Sequence, residues 1–175
     1  VLLGVGGTAP PLGLIRGLDP FGLHIKHLWG MTETTPLGIA GGLLPHMRDW
    51  PLDKQYDVRA KQGIPAPFVE LRLMRDGNEV PWDGVTSGEI EVRGPWVAAS
   101  YYEATEQKHR WTADGWFRTG DVATMDADGY VKIVDRAKDM VKSGGEWISS
   151  VDLENALRGH PAVKEACVVG IPHPR

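Results

Sequence analysis

The chain has 175 residues, of which 42% are hydrophobic and 24% are charged, proportions that are typical of a globular protein. Its net charge of −4 gives no electrostatic reason to expect nucleic-acid binding, and no apolar run approaches the roughly 18 residues of a membrane-spanning helix. A single cysteine excludes an internal disulfide and is typical of a reducing compartment, so we expect a cytoplasmic protein.

The first third of the chain has patterns of mixed strand and helix. Residues 1–5 and 23–30 are predicted strands, and residues 10–18 are a predicted helix with proline near its first turn. Residues 53–62 have a weak helical pattern that would end at Gly63 as a C′ glycine. Because the chain begins inside an apolar segment, whereas domain termini are usually exposed and polar, we expect a fragment of a longer protein.

From residue 68 onward the hydrophobic period changes to two, which is typical of antiparallel strands. Residues 68–74 and 88–94 alternate in this way, and residues 126–130 separate two further alternating runs as a predicted hairpin turn. The middle of the chain therefore predicts a barrel-like or sandwich-like antiparallel β region.

After Asp135 the pattern changes again. Ser149, with an acidic residue three positions later, predicts the N-cap of a helix over residues 150–158. Residues 162–171 read as a strand. A helix followed by a strand indicates a separate α+β lobe, and we place the boundary near residues 136–138.

Two loops that follow predicted strands carry residue types suited to a nucleotide. The sequence GGTAPP at residues 6–11 would let the backbone approach a flat ring or a phosphate, although a plain tight turn explains it as well. In WGMTET, Trp29 could stack on a base, Thr32 could donate to a phosphate and Glu33 could bind Mg²⁺. The alternative for this loop is a buried tryptophan beside an exposed polar turn.

Asp121 follows Thr119 and Gly120 at the start of a predicted strand. Its carboxylate could accept hydrogen bonds from both hydroxyls of a ribose, the alternative being a solvated aspartate in a turn. The sequence from Asp126 resembles the start of a calcium loop, but its twelfth position is Ala137 and not the required glutamate, so a hairpin turn is predicted.

The segments WGMTET, GWFRTGDVA and DRAKDMVKSGGEWIS, in this order, resemble the adenylate-forming superfamily of acyl-CoA synthetases, luciferases and peptide-synthetase adenylation domains. The resemblance covers nearly the whole chain, and its last quarter is most similar to the medium- and long-chain fatty acyl-CoA ligase branch. It implies an α+β fold in two domains. Residues 1–137 would be the end of a large AMP-binding domain, with an α/β portion and a distorted β-barrel, and residues 138–175 the start of a small mobile α+β lobe.

The resemblance also implies roles for single residues. Asp121 and Arg136 would hold the ribose hydroxyls, Thr32 would contact a phosphate and Glu33 would bind Mg²⁺, while Lys138 matches the hinge of the small lobe. Trp29 stands where many relatives have tyrosine and keeps a flat face for adenine. The implied ATP and AMP site comprises Gly7, Thr8, Ala9, Trp29, Gly30, Met31, Thr32, Asp121 and Arg136. The implied CoA-facing loop comprises Lys142, Gly144, Gly145 and Glu146, and Trp147 would abut the catalytic site.

The activity implied by the resemblance is ATP-dependent ligation of a fatty or other carboxylic acid to CoA, with Mg²⁺ as cofactor. The resemblance is also compatible with a homodimer. The acid would first form an acyl-adenylate with release of pyrophosphate, and CoA would then displace AMP. The family's triphosphate-gripping loop would lie before Val1, and its catalytic lysine after Arg175. Two alternatives stay open: a ligase of the same superfamily for aromatic or sulfur-containing short acids, and a non-catalytic nucleotide-binding fragment.

Overall fold

The computed structural model describes residues 1–103, 105–143 and 146–171, and its first part is a four-stranded sheet with two helices beside it. Strands β1 and β2 are parallel and are joined through α1, whereas β2, β3 and β4 pair in antiparallel fashion. The predicted strands and helix at residues 1–30 are thereby confirmed. The elements of this part are β1 (Leu2–Val5), α1 (Leu12–Leu18), β2 (His24–Trp29), β3 (Ile39–Ala40), α2 (Leu52–Arg59) and β4 (Ile64–Pro65).

The middle of the chain forms a five-stranded antiparallel sheet in the order β6-β5-β7-β8-β9. Asp76 and Gly77, with φ of 51° and 80°, form the tight turn between its first two strands. Within the described residues, the edge strands β6 and β9 do not pair with each other. The α+β class is confirmed, but this sheet is open and not closed into the expected barrel. Its strands are β5 (Glu70–Arg75), β6 (Asn78–Glu79), β7 (Gly88–Arg93), β8 (Phe117–Met125) and β9 (Val131–Arg136).

The main hydrophobic core contains side chains from both sheets. Trp29 and Ile39 of the first sheet belong to the same buried cluster as Leu73, Ile90 and Phe117 of the second. The alternation that predicted these strands places the apolar side chains on one face, where burying each one contributes about 1.5–3 kcal/mol. The core therefore fixes β2 against the five-stranded sheet, which matters for the site described below.

Gly63 joins the two sheets and does not end a helix. Helix α2 stops at Arg59, so the prediction of a C′ glycine at Gly63 was wrong. The N–H of Val131 donates to the Gly63 carbonyl at 2.7 Å, and the N–H of Gln62 donates to the Val131 carbonyl at 3.0 Å. Gly63 has a φ of 112°, and a Cβ there would lie 2.1 Å from the Ala40 carbonyl oxygen, so a residue without a side chain is needed.

The last part of the chain contains a short hairpin and one helix, which begins as predicted. The Ser149 hydroxyl accepts a hydrogen bond from the N–H of Asp152 at 3.0 Å and so caps the helix. The elements are β10 (Val141–Ser143), β11 (Glu146–Ile148) and α3 (Ser150–Arg158). Among the described residues, no helix combines the length and the apolar character needed to cross a lipid bilayer.

The strand predicted over residues 162–171 was wrong. These residues have an alternating pattern but no ladder partner among the described strands, and a strand needs its backbone groups paired. Their polar groups bond to helix α3 instead. The N–H of Val168 donates to Glu154 Oε1 at 3.0 Å, and Arg158 donates to the Ala166 carbonyl at 3.2 Å.

Replacing Gly63 by alanine should destabilise the protein, because the left-handed backbone alone costs about 1–3 kcal/mol and the new Cβ would collide with the Ala40 carbonyl. Gly13→Ala is the matched control, because Gly13 lies within α1 with open space around its Cβ position. There alanine should raise stability by about 0.5–1 kcal/mol. Urea unfolding followed by tryptophan fluorescence measures both, and equal midpoints for the two variants would contradict the described bridge.

Candidate functional site

A cavity of about 280 Å³ lies where the end of β2 faces β8 and β9. Its lining includes eight of the residues that the sequence assigned to a nucleotide: Gly7, Thr8, Ala9, Trp29, Gly30, Met31, Asp121 and Arg136. The fold thus brings together three segments that are far apart in the chain. Thr32, the ninth assigned residue, is exposed and is not part of the lining.

The two glycine-containing loops meet because β1 and β2 are parallel neighbours. Their carboxyl ends lie at the same edge of the sheet, with Val5 beside His27, so the loops that follow them face the same space. Gly7 has a φ of 84°, and a Cβ on Gly30 would lie 1.7 Å from the Pro36 carbonyl oxygen. Both turns therefore need glycine, and both expose backbone to the cavity.

Trp29 is buried, with 8% of its surface exposed, and also lines the cavity. Its ring lies against Gly38, where a Cβ would come within 2.5 Å of Cζ3, and its Nε1–H donates to Asp121 Oδ2 at 2.8 Å. The sequence left two interpretations of Trp29 open: a ring that stacks on a nucleotide base, or a buried core residue. The structure makes it a buried tryptophan that borders the cavity, and its contact with an adenine stays a prediction.

The carboxylate of Asp121 is held from two sides. Its residue is 6% exposed, Trp29 donates to one oxygen, and Arg136 Nε lies 3.2 Å from the other. Asp121 and Arg136 are direct partners in the β8–β9 register, so their proximity follows from the hairpin. A carboxylate oxygen accepts up to two hydrogen bonds. With respect to the residues that the structure describes, each oxygen therefore keeps one acceptor position, which suits two neighbouring hydroxyls.

Sequence reasoning missed several lining residues, chiefly His27, Gln62 and Asp135. Gln62 is buried, and its Oε1 accepts from the N–H of Ile133 at 2.7 Å. Burial lowers the pKa of His27, so this imidazole is neutral at pH 7. These residues reach the cavity through packing between the sheets, and no local sequence signal marks them.

Asp135 was missed although it precedes Arg136. It is 3% exposed, and its Oδ2 accepts from the N–H of Ser150 at 2.6 Å, at the first turn of α3. The Ser149 hydroxyl donates to the Val134 carbonyl at 2.5 Å. Strand β9 and helix α3 are therefore tied together beside the cavity, a contact across 15 residues that sequence spacing does not reveal.

Glu33 lies in a short 3₁₀ turn, Thr32–Thr34, directly after the cavity-lining Met31. Its carboxylate accepts a hydrogen bond from the hydroxyl of Tyr101. Burial of Tyr101, together with this hydrogen bond, raises the pKa of its phenol, so the hydroxyl is protonated and donates at neutral pH. Sequence reasoning did not single out Tyr101.

In the part of the chain that the structure describes, no group of three or more histidine, cysteine or acidic side chains could hold a metal ion. A single half-buried carboxylate such as Glu33 nevertheless fits Mg²⁺, which usually keeps waters and takes substrate phosphates as further ligands. The donor set is therefore consistent with a metal that arrives together with a phosphate ligand.

Lys138 is exposed in the turn that follows β9. The hydrogen bonds of this turn come from neighbours: Ala137 N–H donates to Gly120, and Asp139 and Met140 N–H donate to Arg136. Gly144 and Gly145 lie outside the described residues. The backbone of Lys142, Glu146 and Trp147 lies in the β10–β11 hairpin, but their side chains are outside the description, so contact with CoA stays a prediction.

Comparison with known proteins places these features in a family. The family described as AMP-binding enzyme matches residues 1–102, and the AMP-binding enzyme C-terminal domain matches residues 152–175. A long-chain-fatty-acid–CoA ligase of Thermus thermophilus is 48% identical over 175 residues, and a 3-methylmercaptopropionyl-CoA ligase of Ruegeria lacuscaerulensis is 48% identical over 173. Each alignment covers 98% of this chain and 32% of the relative.

Among solved structures, o-succinylbenzoate coenzyme A synthetase from Bacillus subtilis in complex with ATP and magnesium ion superposes with a TM-score of 0.84 and 31% identity. That match covers 99% of this chain and 34% of the other. The chain thus spans about a third of the length of the relatives it matches. Since the first family match alone extends over residues 1–102, more than half of the chain, this chain belongs to the AMP-binding enzyme family.

Proposed function

We propose that the protein containing this chain is an AMP-forming fatty acid–CoA ligase. The observation that carries the proposal is the single cavity in which Asp121, Arg136 and two glycine loops converge beside Trp29. A buried carboxylate with free acceptor positions suits a ribose diol, exposed loop backbone suits an adenine or a phosphate, and a flat indole borders both. The likeness to CoA ligases supports the reaction class.

The first proposed step joins the acid to the nucleotide. A carboxylate oxygen of the acid attacks the α-phosphorus of ATP, the P–O bond to the β-phosphate breaks, and pyrophosphate leaves with the electron pair. Asp121 and Arg136 would fix the ribose, and the exposed Thr32 hydroxyl would donate to a phosphate oxygen. Glu33 would hold Mg²⁺, which supplies positive charge against the phosphate oxygens.

In the second proposed step, the thiolate of CoA attacks the acyl carbonyl carbon and a C–S bond forms. The C–O bond between the acyl carbon and the phosphate breaks, and AMP leaves with the electron pair. The first step reacts at the α-phosphorus and the second at the acyl carbon, and the two steps need different groups beside the same bound nucleotide, so part of the protein has to move between them. We assign this movement to residues 138–175, turning about Lys138 against residues 1–137. The β10–β11 hairpin, whose backbone includes Lys142, Glu146 and Trp147, would then face CoA.

The identity of the acid rests on the relatives alone. A fatty acid is the first candidate and a sulfur-containing short acid is the second. The long-chain-fatty-acid–CoA ligase and the 3-methylmercaptopropionyl-CoA ligase have the same sequence identity to this chain, 48%. Acid-dependent exchange of labelled pyrophosphate into ATP, measured on the whole protein with a series of fatty, aromatic and methylthio acids, separates them. Exchange with none of these acids would leave nucleotide binding without ligation and would contradict the proposal.

Asp121→Asn should weaken AMP binding by about 10- to 100-fold, because hydrogen bonds to a charged acceptor contribute roughly 1.5–3 kcal/mol. Isothermal titration of the whole protein with AMP measures the loss. Asp128→Asn is the matched control, since Asp128 lies in the exposed hairpin turn away from the cavity and should bind AMP like the wild type. An Asp121→Asn variant that is folded and binds AMP normally would leave Asp121 a purely structural residue.

Lys138→Pro should separate the two steps. Proline fixes φ near −65°, but it removes none of the turn's hydrogen bonds, which neighbouring residues donate. One of the two steps, adenylation or CoA acylation from supplied acyl-adenylate, should therefore persist while the other falls by at least about tenfold, and Lys138→Ala should retain both steps. Pyrophosphate exchange and thioester formation are assayed apart. Equal slowing of both steps, or of neither, would show that Lys138 is not the pivot.

A further inference from the structure

The turn that carries Glu33 is hydrogen-bonded to residues 96–101 at three points. Thr35 Oγ1 donates to the Trp96 carbonyl at 2.8 Å, and the N–H of Ala98 donates to the Glu33 carbonyl at 2.8 Å. The third contact is the hydrogen bond from the Tyr101 hydroxyl to Glu33 Oε1. Both the backbone and the side chain of Glu33 are thus held by the same segment.

Tyr101 is itself fixed by the core. Its ring packs edge-on against Trp111, with 5.2 Å between ring centroids, and Trp111 packs against Phe117 at 4.9 Å. Phe117 is fully buried. The indole N–H of Trp111 also donates to the Ala98 carbonyl at 2.9 Å, which holds the backbone of the same segment. Packing of the ring against the core therefore sets the position of the phenol oxygen of Tyr101.

The hydrogen bond leaves the two oxygens of Glu33 in different situations. Oε1 accepts from Tyr101, whereas no hydrogen bond to Oε2 occurs among the described residues, which leaves this oxygen for one bond to a cation. A carboxylate that is oriented in this way loses less freedom when a metal binds, and partners that orient metal ligands commonly contribute 10- to 100-fold to metal affinity. Mg²⁺ needs such orientation because its octahedral geometry tolerates little misplacement.

We propose that Tyr101 is a positioning residue, which holds Glu33 for the Mg²⁺ that binds together with ATP. The inference rests on the proposed function, since it needs a metal–nucleotide substrate, and it adds a residue that acts through Glu33 without touching the substrate.

The chain supplies a matched pair of variants. Tyr101→Phe removes the hydroxyl but keeps the ring on Trp111, and Tyr102→Phe makes the same change at a neighbour that is 90% exposed. The first measurement needs no turnover. It determines Mn²⁺ binding to the whole protein with ATP and without acid, and the readout is the loss of the electron paramagnetic resonance signal of free Mn²⁺. Tyr101→Phe should weaken Mn²⁺ binding by about 10-fold, and Tyr102→Phe should leave it unchanged.

Four further measurements separate positioning from a general effect on the fold. The Mg²⁺ concentration for half-maximal pyrophosphate exchange should rise with Tyr101→Phe, while metal-free AMP affinity and the thermal unfolding midpoint stay at wild-type values. In a Glu33→Gln background, Tyr101→Phe should have no further effect on Mn²⁺ binding, because the two residues would act as one unit.

Each result decides between the possibilities. Unchanged Mn²⁺ binding in Tyr101→Phe, in a protein that exchanges pyrophosphate normally, would overturn the positioning role and leave the proposed function intact. Equal losses of Mn²⁺ and metal-free AMP binding would also overturn it, since Tyr101 would then support the fold alone. Absence of Mn²⁺–ATP binding and of exchange in the wild type would overturn the proposed function itself.

Discussion

The hydrogen bond from the Trp29 indole to Asp121 is the contact on which the geometry of the site depends. Its partners lie 92 residues apart, one at the end of β2 in the first sheet and one in β8 of the second. Because both are buried, the bond sets the distance between the sheets at the cavity. Leaving a buried polar atom without a hydrogen-bond partner costs free energy of folding. The buried indole N–H and the buried carboxylate therefore stabilise the folded state through this bond.

The same bond explains why a core residue can border a ligand site. Trp29 contributes apolar surface to the hydrophobic core and its N–H to a carboxylate that faces the cavity. Gly38 makes this possible, because any side chain there would meet the indole ring. Arg136, the strand partner of Asp121, adds a positive charge on the open side. The cavity therefore has one rigid wall and one exposed, charged edge.

The connection between β9 and α3 has the opposite character. Asp135 accepts from the first turn of the helix, and Ser149 donates to Val134, so the helix is held close to the cavity in the arrangement described. A lobe that turns about Lys138, as we propose, would have to break these hydrogen bonds. Each typically contributes about 0.5–3 kcal/mol, a range that a bound substrate could offset. The contacts thus define one arrangement without making it permanent.

Much of the architecture follows from local patterns. Alternation with period two predicted the strands that contain Leu73, Ile90 and Ala123, and residues 126–130 predicted the hairpin turn between β8 and β9. Where a local pattern had no tertiary partner, as in residues 162–171, the predicted strand did not form. Gly63 was assigned to the end of a helix. In the structure its positive φ belongs to a backbone bridge with Val131, a partner that is distant in the chain.

The sequence by itself determined the fold class, the order of most elements, and the residue types from which a nucleotide site could be built. It carried these because hydrophobic period, turn chemistry and motif order are local properties. Only the tertiary structure decided that Trp29 bonds to Asp121, that Asp135 accepts from the N–H of Ser150 in α3, and that Tyr101 holds Glu33. Each of these contacts joins residues that are separated by 15 or more positions, and such pairs meet only when packing of the apolar core fixes the sheets and loops relative to one another.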